Sequence, residues 1–251
     1  MKSNMPFPMI LGHRGYRAKF PENTVLAFKK AFEFGADGIE CDVQKTADGR
    51  YVVIHDALTE RVTGRKMDVA ATKFEELRSL DFGSGERIPE ITEMLAAIPA
   101  GKYLDLELKS QTLTPADAVP IMDLLDSRID RKNLMLSSFN IELLVPFRKR
   151  GYTVGYLIGQ DTADKGIGHL ARSLMRYRPQ FINLPIQTPS KLGQKGWRRL
   201  RRLLGLMGIA ILFWTVNQAA EAEAVAPYTS ILVGDDVELL VKLRGAAGGK
   251  A

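Results

Sequence analysis

Gly38-Ile39-Glu40-Cys41-Asp42-Val43-Gln44-Lys45-Thr46-Ala47-Asp48-Gly49-Arg50-Tyr51-Val52-Val53-Ile54-His55-Asp56 is the stretch from which the fold is read. Ile39, Cys41 and Val43 alternate with Glu40, Asp42 and Gln44, a period of two that makes a strand with both carboxylates on one face. The turn signal Asp48-Gly49 leads into a second strand, Tyr51 to His55. The gap is too short for the dozen or so residues that a parallel crossover needs. The two strands therefore form a hairpin, and its return leg carries His55 and Asp56 back toward Glu40 and Asp42.

Upstream of the hairpin, Met9 to Gly12 is a short apolar strand ending in His13-Arg14-Gly15. Pro21-Glu22-Asn23-Thr24 then opens a helix that Asn23 or Thr24 caps. Downstream, residues 57–88 read as a small, partly irregular insertion in which Thr72-Lys73-Phe74-Glu75 forms a capping box. Beyond it, strands near residues 105, 135, 155, 182, 212 and 231 alternate with helices at 90–98, 114–126, 140–149, 163–176, 190–207, 218–225 and 235–243. The tail from Gly245 to Ala251 is expected to fray. With the strands near residues 10 and 40, and the hairpin's return leg set aside, eight strands each precede a helix. That is the pattern of a (β/α)8 TIM barrel, here one domain over residues 1–251 with a hairpin extending its second strand. A doubly wound open sheet wants a glycine-rich phosphate loop after its first strand, which Gly12-His13-Arg14-Gly15 does not supply.

The 251 residues suit one such barrel, for which roughly 250 is typical. A hydrophobic fraction of 45% suffices for one large core, and a net charge of +6 is modest for this length. It hints at an anionic partner without implying nucleic acid. The N-terminal residues contain no apolar run of signal-peptide length, and Leu203 to Trp214 falls short of the ~20 residues of a membrane span. The lone cysteine, Cys41, has no internal disulfide partner and suits a reducing cytoplasm, where the protein is expected to reside.

In a barrel of this kind, polar residues at the C-terminal ends of the strands share one mouth. They are His13 and Arg14, Glu40 and Asp42, Glu107 and Lys109, then Ser137, Ser138 and Phe139, Asn183, Trp214 and Asn217, and Asp235, with His55 added by the hairpin. His13 and His55 are two of only three histidines, and the third, His169, falls inside a helix as a structural residue. Glu40, Asp42 and Glu107 read either as an ion-paired patch with Arg14 and Lys109 or as the ligands of a divalent ion. Three carboxylates desolvated together repel one another, so the ion is the more economical reading, and all-oxygen ligands favour magnesium or calcium over zinc. Arg14 and Lys109 offer a planar fork and a point charge to a phosphate, and the two histidines offer a general base and a general acid. The residues alone thus reach metal-assisted phosphate-ester chemistry.

Seven motifs in order narrow this: His13-Arg14-Gly15, Pro21-Glu22-Asn23-Thr24, Glu40-Cys41-Asp42, Thr46-Ala47-Asp48-Gly49 leading to His55-Asp56, Arg87-Ile88-Pro89, Glu107-Leu108-Lys109 and Trp214-Thr215-Val216-Asn217. Together they resemble the glycerophosphodiester phosphodiesterase family. The resemblance implies hydrolysis of a small-molecule glycerophosphodiester to an alcohol and glycerol 3-phosphate with one divalent cation, Mg2+ or Ca2+. It implies Glu40, Asp42 and Glu107 as metal ligands, His13 and His55 as acid and base, Arg14 and Lys109 as phosphate contacts, and Phe139 and Trp214 as an apolar wall against the glycerol carbons. It also implies attack on phosphorus by the glycerol's own neighbouring hydroxyl, giving a cyclic phosphate that water opens. Glu22 is assigned mainly to capping and ion pairing.

Two stretches depart from the family pattern. The last strand ends Ile231-Leu232-Val233-Gly234-Asp235-Asp236, where the family carries Gly-Ile-Thr-Asp-x-Pro, and residues 191–207 place six lysines and arginines around Trp197, Leu200, Leu203, Leu204 and Met207. The second stretch reads as an outer barrel helix with a solvated basic edge, or as a helix in weak contact with a membrane surface. The membrane reading carries an alternative activity of lysophospholipase D type on lysophospholipids. An inactive phosphate- or lipid-binding module is the third reading, and it predicts a broken catalytic set. Every charged member of the set is present.

Overall fold

A computed structural model describes residues 7–248 of the chain. Eight parallel strands close into a barrel: β1 (Met9–His13), β2 (Gly38–Lys45), β4 (Tyr103–Leu108), β5 (Leu134–Ser138), β6 (Thr153–Leu157), β7 (Phe181–Pro185), β8 (Ala210–Trp214) and β9 (Ile231–Gly234), with β1 pairing to both β2 and β9. The hairpin is present, its return leg β3 (Tyr51–Val53) running antiparallel to β2. The strand ends at Val53 rather than His55, and the last backbone rung to β2 is Ile54 N donating to Asp42 O at 3.0 Å. The Gln44 side-chain amide then donates to the carbonyls of Ile54, His55 and Asp56. That buried amide takes over from the ladder and holds the turn carrying His55 against β2.

Helices cover the outside: α1 (Val25–Glu33), α2 (Glu60–Thr63), α3 (Phe74–Arg78), α4 (Ile91–Ala96), α5 (Ala118–Asp126), α6 (Val145–Lys149), α7 (Gln160–Asp164), α8 (Gly166–Tyr177), α9 (Thr188–Met207), α10 (Ala219–Val225) and α11 (Val237–Gly248). The odd residues of β2 face them, so Cys41 is buried between sheet and helices with Ile39 and Val43. The even residues face the barrel axis. The lower interior is apolar, built from Leu11, Met135, Leu212, Ile231 and Val233. Polar side chains occupy the upper levels, which is where a barrel of this type does chemistry.

Several local expectations are corrected. Thr24 alone caps α1, accepting from Ala27 N, while Asn23 takes a left-handed conformation (φ 56°) and turns inward. The capping box at Thr72 does not form. The N-cap of α3 is Lys73, and Phe74 N donates instead to Asp48 Oδ1 at 3.0 Å, a cap supplied from the hairpin turn. The helix expected over 163–176 is two, α7 and α8, broken where Gly166 takes φ 79°, and the helix expected over 190–207, α9, is kinked where Gly193 leaves helical geometry (φ 62°, ψ 172°). The region 114–126 opens with a 3-10 turn, Pro115–Asp117, before α5. The insertion at 57–88 has its own small core, with Phe74, Leu77, Phe82 and Ile88 packed against Val52 and Ile54.

The tail expected to fray is helical as far as Gly248, and residues 249–251 lie outside the described residues, as do the first six, read above as lacking an apolar leader. Among the described residues no helix is long and apolar enough to cross a membrane.

Candidate active site

Strand register assembles the acidic cluster. His13 lies level with Glu40 and Glu40 with Asp105, while Asp42 lies level with Glu107 and Glu107 with Ser137. Because side chains alternate across a strand, Glu40, Asp42 and Glu107 all point into the barrel from two hydrogen-bonded neighbours. All three are buried, and one ligand oxygen of each lies within 4.8 Å of the others. The spacing that suggested convergence is realised.

Arg14 and Asn23 fix the near side. Arg14 takes φ 53° at the end of β1, next to Gly15, where a Cβ would meet the Ala27 backbone at 2.7 Å. In that turn the Arg14 amide donates to Glu40 Oε2 at 3.1 Å, and its guanidinium pairs with Glu22 at 2.8 Å and lies 3.5 Å from Asp42. Asn23 Nδ2 donates to Asp42 Oδ2 at 2.9 Å. On the far side the Lys109 ammonium sits 2.8 Å from Asp42 Oδ1 and 2.6 Å from Glu107 Oε1. Both cations therefore lie among the acids, as the ion-paired reading requires and as neighbours of a bound phosphate also would.

Burial and proximity set the charges. Burial pushes Asp42 up, yet Lys109, His55 and Arg14 outweigh it and hold this carboxylate well below its usual range. Glu40 is pushed far up by burial and then by the charges of Asp42 and Glu107. Glu107 is pushed up in the same way, with Lys109 pulling against it. Two buried acids that resist ionisation beside a third that is ionised form a donor set that a divalent cation relieves, and its all-oxygen chemistry fits a hard ion.

The two histidines flank this cluster, each held at Nδ1 by a carboxylate. His13 Nδ1 lies 2.6 Å from Asp235 Oδ1, which leaves Nε2 3.9 Å from Glu40. His55 Nδ1 lies 2.7 Å from Asp56 Oδ1, and Asp56 is in turn paired with Arg61. Burial lowers the basicity of both rings, opposed for His13 chiefly by the Asp235 bond and for His55 by the charge of Asp42. Phe139 and Trp214 meet edge to face with centroids 5.7 Å apart, and Trp214 Nε1 is buried with no hydrogen-bond partner. An open cleft of about 710 Å³ leads from His55, Glu107 and Lys109 past Phe139 to Leu58 and Arg61.

Some contributors were not singled out from the sequence. Asp235 and Asn217 had been placed at the mouth without a role. Here Asn217 Nδ2 donates to Asp235 Oδ2 and Asp235 N donates to Asn217 Oδ1, fixing the carboxylate that holds His13. Barrel closure was the signal available, since it makes the last strand the neighbour of the first. Glu22 does not cap. It joins Arg14, Arg17 and Arg61, and although burial opposes it, these arginines hold its carboxyl down at about 2. Asp105, one level below Glu107 on β4, is raised to about 7 by burial while accepting from Ser137 Oγ at 2.6 Å. Its alternation with Leu104 and Leu106 would have found it.

Comparison with known proteins gives a consistent picture. A family model described as "Glycerophosphoryl diester phosphodiesterase family" matches residues 13–238. A glycerophosphodiester phosphodiesterase of Caldanaerobacter subterraneus subsp. tengcongensis is 38% identical over 249 residues, covering 94% of this chain and 97% of its own length. The crystal structure of a Thermotoga maritima glycerophosphodiester phosphodiesterase is similar with a TM-score of 0.81 at 30% identity, over 96% of this chain and all of that one. The fold is also that of an Oleispira antarctica phosphodiesterase solved in complex with the product sn-glycerol-3-phosphate (TM-score 0.82, 23% identity, 94% of this chain and 96% of that one).

Proposed function

The chain belongs to the glycerophosphoryl diester phosphodiesterase family, and from that membership we propose that it hydrolyses glycerophosphodiesters to an alcohol and glycerol 3-phosphate, with one divalent cation, magnesium or calcium, held by Glu40, Asp42 and Glu107. The observation that carries the reading is the buried acidic trio flanked by two imidazoles, each braced by a carboxylate at Nδ1. The ion, when bound, supplies positive charge against the phosphoryl oxygens.

The side chains supply the rest. With Nδ1 engaged, Nε2 of each ring is left for proton transfer. One imidazole takes the proton of the attacking hydroxyl, and the other delivers a proton to the leaving alcohol oxygen. When water opens the cyclic phosphate the two exchange duties, so neither needs an outside proton carrier. Arg14 and Lys109 bind the phosphoryl oxygens from opposite sides of the trio. Phe139 and Trp214 form the wall for the glycerol carbons, and the unpartnered Trp214 N–H is a donor for a substrate oxygen. The reading places the enzyme in the cytoplasm, in keeping with its buried free thiol.

The lysophospholipase D reading shares this core and differs at the rim. It draws its support from the basic helix α9, whose Arg198, Arg199 and Arg202 are exposed. Turnover of a panel of glycerophosphodiesters and lysophospholipids, measured after chelation and after restoring each metal, tests the proposal with the intact protein and with His13→Ala. Chelation and the substitution each abolish hydrolysis. Turnover that survives thorough chelation would reduce the trio to an ion-pair network, and a strong preference for the lipid would favour the second reading.

A further inference from the structure

Between Lys165 and Ala220 the sequence contains ten lysines and arginines and no aspartate or glutamate. The whole chain carries +6, so everything outside this segment is net acidic. The positive charge of the molecule is thus concentrated on α8, α9 and the strands and turns between them. Elsewhere acids outnumber bases, and 13 of the 23 described lysines and arginines form ion pairs, as in the clusters around Glu22 and Glu238. Among the described residues none of these ten forms an ion pair. Surface charges left unpaired on one side make a field that a neutral partner would not use.

The same two helices carry exposed apolar side chains. Leu206 is 80% exposed, Ile167 64%, Met175 58% and Leu192 39%. Such residues scattered singly need no explanation, but a group within a basic surface does. On α9, Lys195, Arg199, Arg202 and Leu206 recur at helical spacing on the outer side, while Trp197, Leu200 and Leu204 are buried. On α8, Arg172, Met175 and Arg176 face outward and Leu174 inward. The two helices bury their inner sides in one apolar cluster, so their outer sides face solvent on the same flank of the barrel. α9 follows the end of β7, and α8 follows α7 beyond the end of β6, so the surface they present runs from the mouth side down the flank of the barrel.

We propose that the outer wall of α8 and α9 docks on a bilayer containing anionic phospholipid, with the barrel lying on its side. The cations meet the headgroup phosphates, and Ile167, Met175, Leu192 and Leu206 enter the headgroup–acyl boundary. A nucleic acid fits the surface less well, because Trp197 is turned inward and the Tyr228 ring is covered by Arg201. Trp197 is 8% exposed, and Arg201 stacks on Tyr228 at 3.8 Å instead of joining the outer row. The inference needs only α8 and α9 and stands apart from the hydrolytic proposal.

Flotation of the full chain with phosphatidylcholine vesicles, with and without phosphatidylglycerol, tests it. Binding is expected only with phosphatidylglycerol and is expected to weaken as salt rises. Replacing Lys195, Arg199 and Arg202 together by Gln lowers the partition coefficient about a hundredfold. The matched set Lys66→Gln, Lys132→Gln and Lys242→Gln, on other faces, leaves it unchanged, and circular dichroism of both sets shows the same fold as the parent. Leu206→Ser lowers binding several-fold without altering its salt dependence. The proposal is overturned if the chain binds neither vesicle or both equally, or if the two triple variants behave alike. Binding of an oligonucleotide as tight as that of the anionic vesicles, with no effect of Leu206→Ser on either, also overturns it and assigns the surface to nucleic acid.

Discussion

His13 and Asp235 stand 222 residues apart in the chain and share a 2.6 Å hydrogen bond across the seam where β9 meets β1. The bond exists only because the barrel closes, and it makes the last loop a part of the catalytic apparatus proposed here.

Asp235→Asn keeps the size of that side chain and removes its charge. The imidazole of His13 then loses the partner that opposes the lowering of its basicity by burial. Steady-state kinetics should show kcat reduced about ten- to a hundredfold with KM little changed. Asp235→Glu should recover part of the loss, whereas equal losses in the two variants would make Asp235 merely structural.

If the acidic trio holds a cation, adding magnesium or calcium to chelated protein should raise its melting temperature, because an ion bound only by the folded state stabilises it. Glu107→Gln should weaken that rise at every ion concentration, and the shift can be read without any assay of turnover. A metal-induced rise of equal size in parent and variant would contradict the ligand assignment.

Asn23 combines a left-handed backbone with a buried donor to Asp42. Glycine tolerates that conformation at no steric cost, so Asn23→Gly isolates the lost hydrogen bond and should cost about 1–3 kcal/mol in urea unfolding. Asn23→Ala adds backbone strain and should cost more. Equal costs for the two would mean that φ at this position is unimportant.

Glu22 gives the pH dependence a definite sign. Its folded-state pKa, about 2 against an ordinary 4.5, is depressed, so its contribution to stability is complete above pH 4.5. It disappears as the pH falls toward 2. Glu22→Gln should therefore destabilise the protein at neutral pH and progressively less below pH 4.5. Thermal melts of both proteins across that window provide the check, and a constant difference would remove the carboxylate from the account.

The cap on α3 can be tested in isolation. Asp48→Ala should remove the acceptor for Phe74 N and cost about 1 kcal/mol, with hydrogen exchange accelerated first in the 57–88 insertion. Uniform acceleration through the barrel would show that the insertion does not open on its own.

The sequence carried the barrel because period-two alternation and strand–helix rhythm are local signals, and Glu40, Asp42 and Glu107 could be picked out because inward side chains must share one axis. The cap of α3 was misassigned because Thr72 had the right type and spacing while the real acceptor, Asp48, arrives through tertiary packing. Asn23 stood beside Thr24 as a candidate cap because nothing local distinguishes a capping asparagine from one whose left-handed turn aims its amide at Asp42. Asp235 was placed at the mouth, but its bond to His13 spans nearly the whole chain, and the Gly166 break in the helix over 163–176 depends on a φ angle that spacing alone does not give.

The acids of the trio project from strands held side by side, Glu40 and Asp42 from β2 and Glu107 from β4. A slip of one residue between those strands would swing the inward acids of the slipped strand outward against the helices. If the trio holds the proposed cation, its binding is a gauge of correct strand alignment: a chain that has collapsed with the wrong neighbours would have nothing to grip an ion with, and the ion would select the properly aligned ring from its competitors.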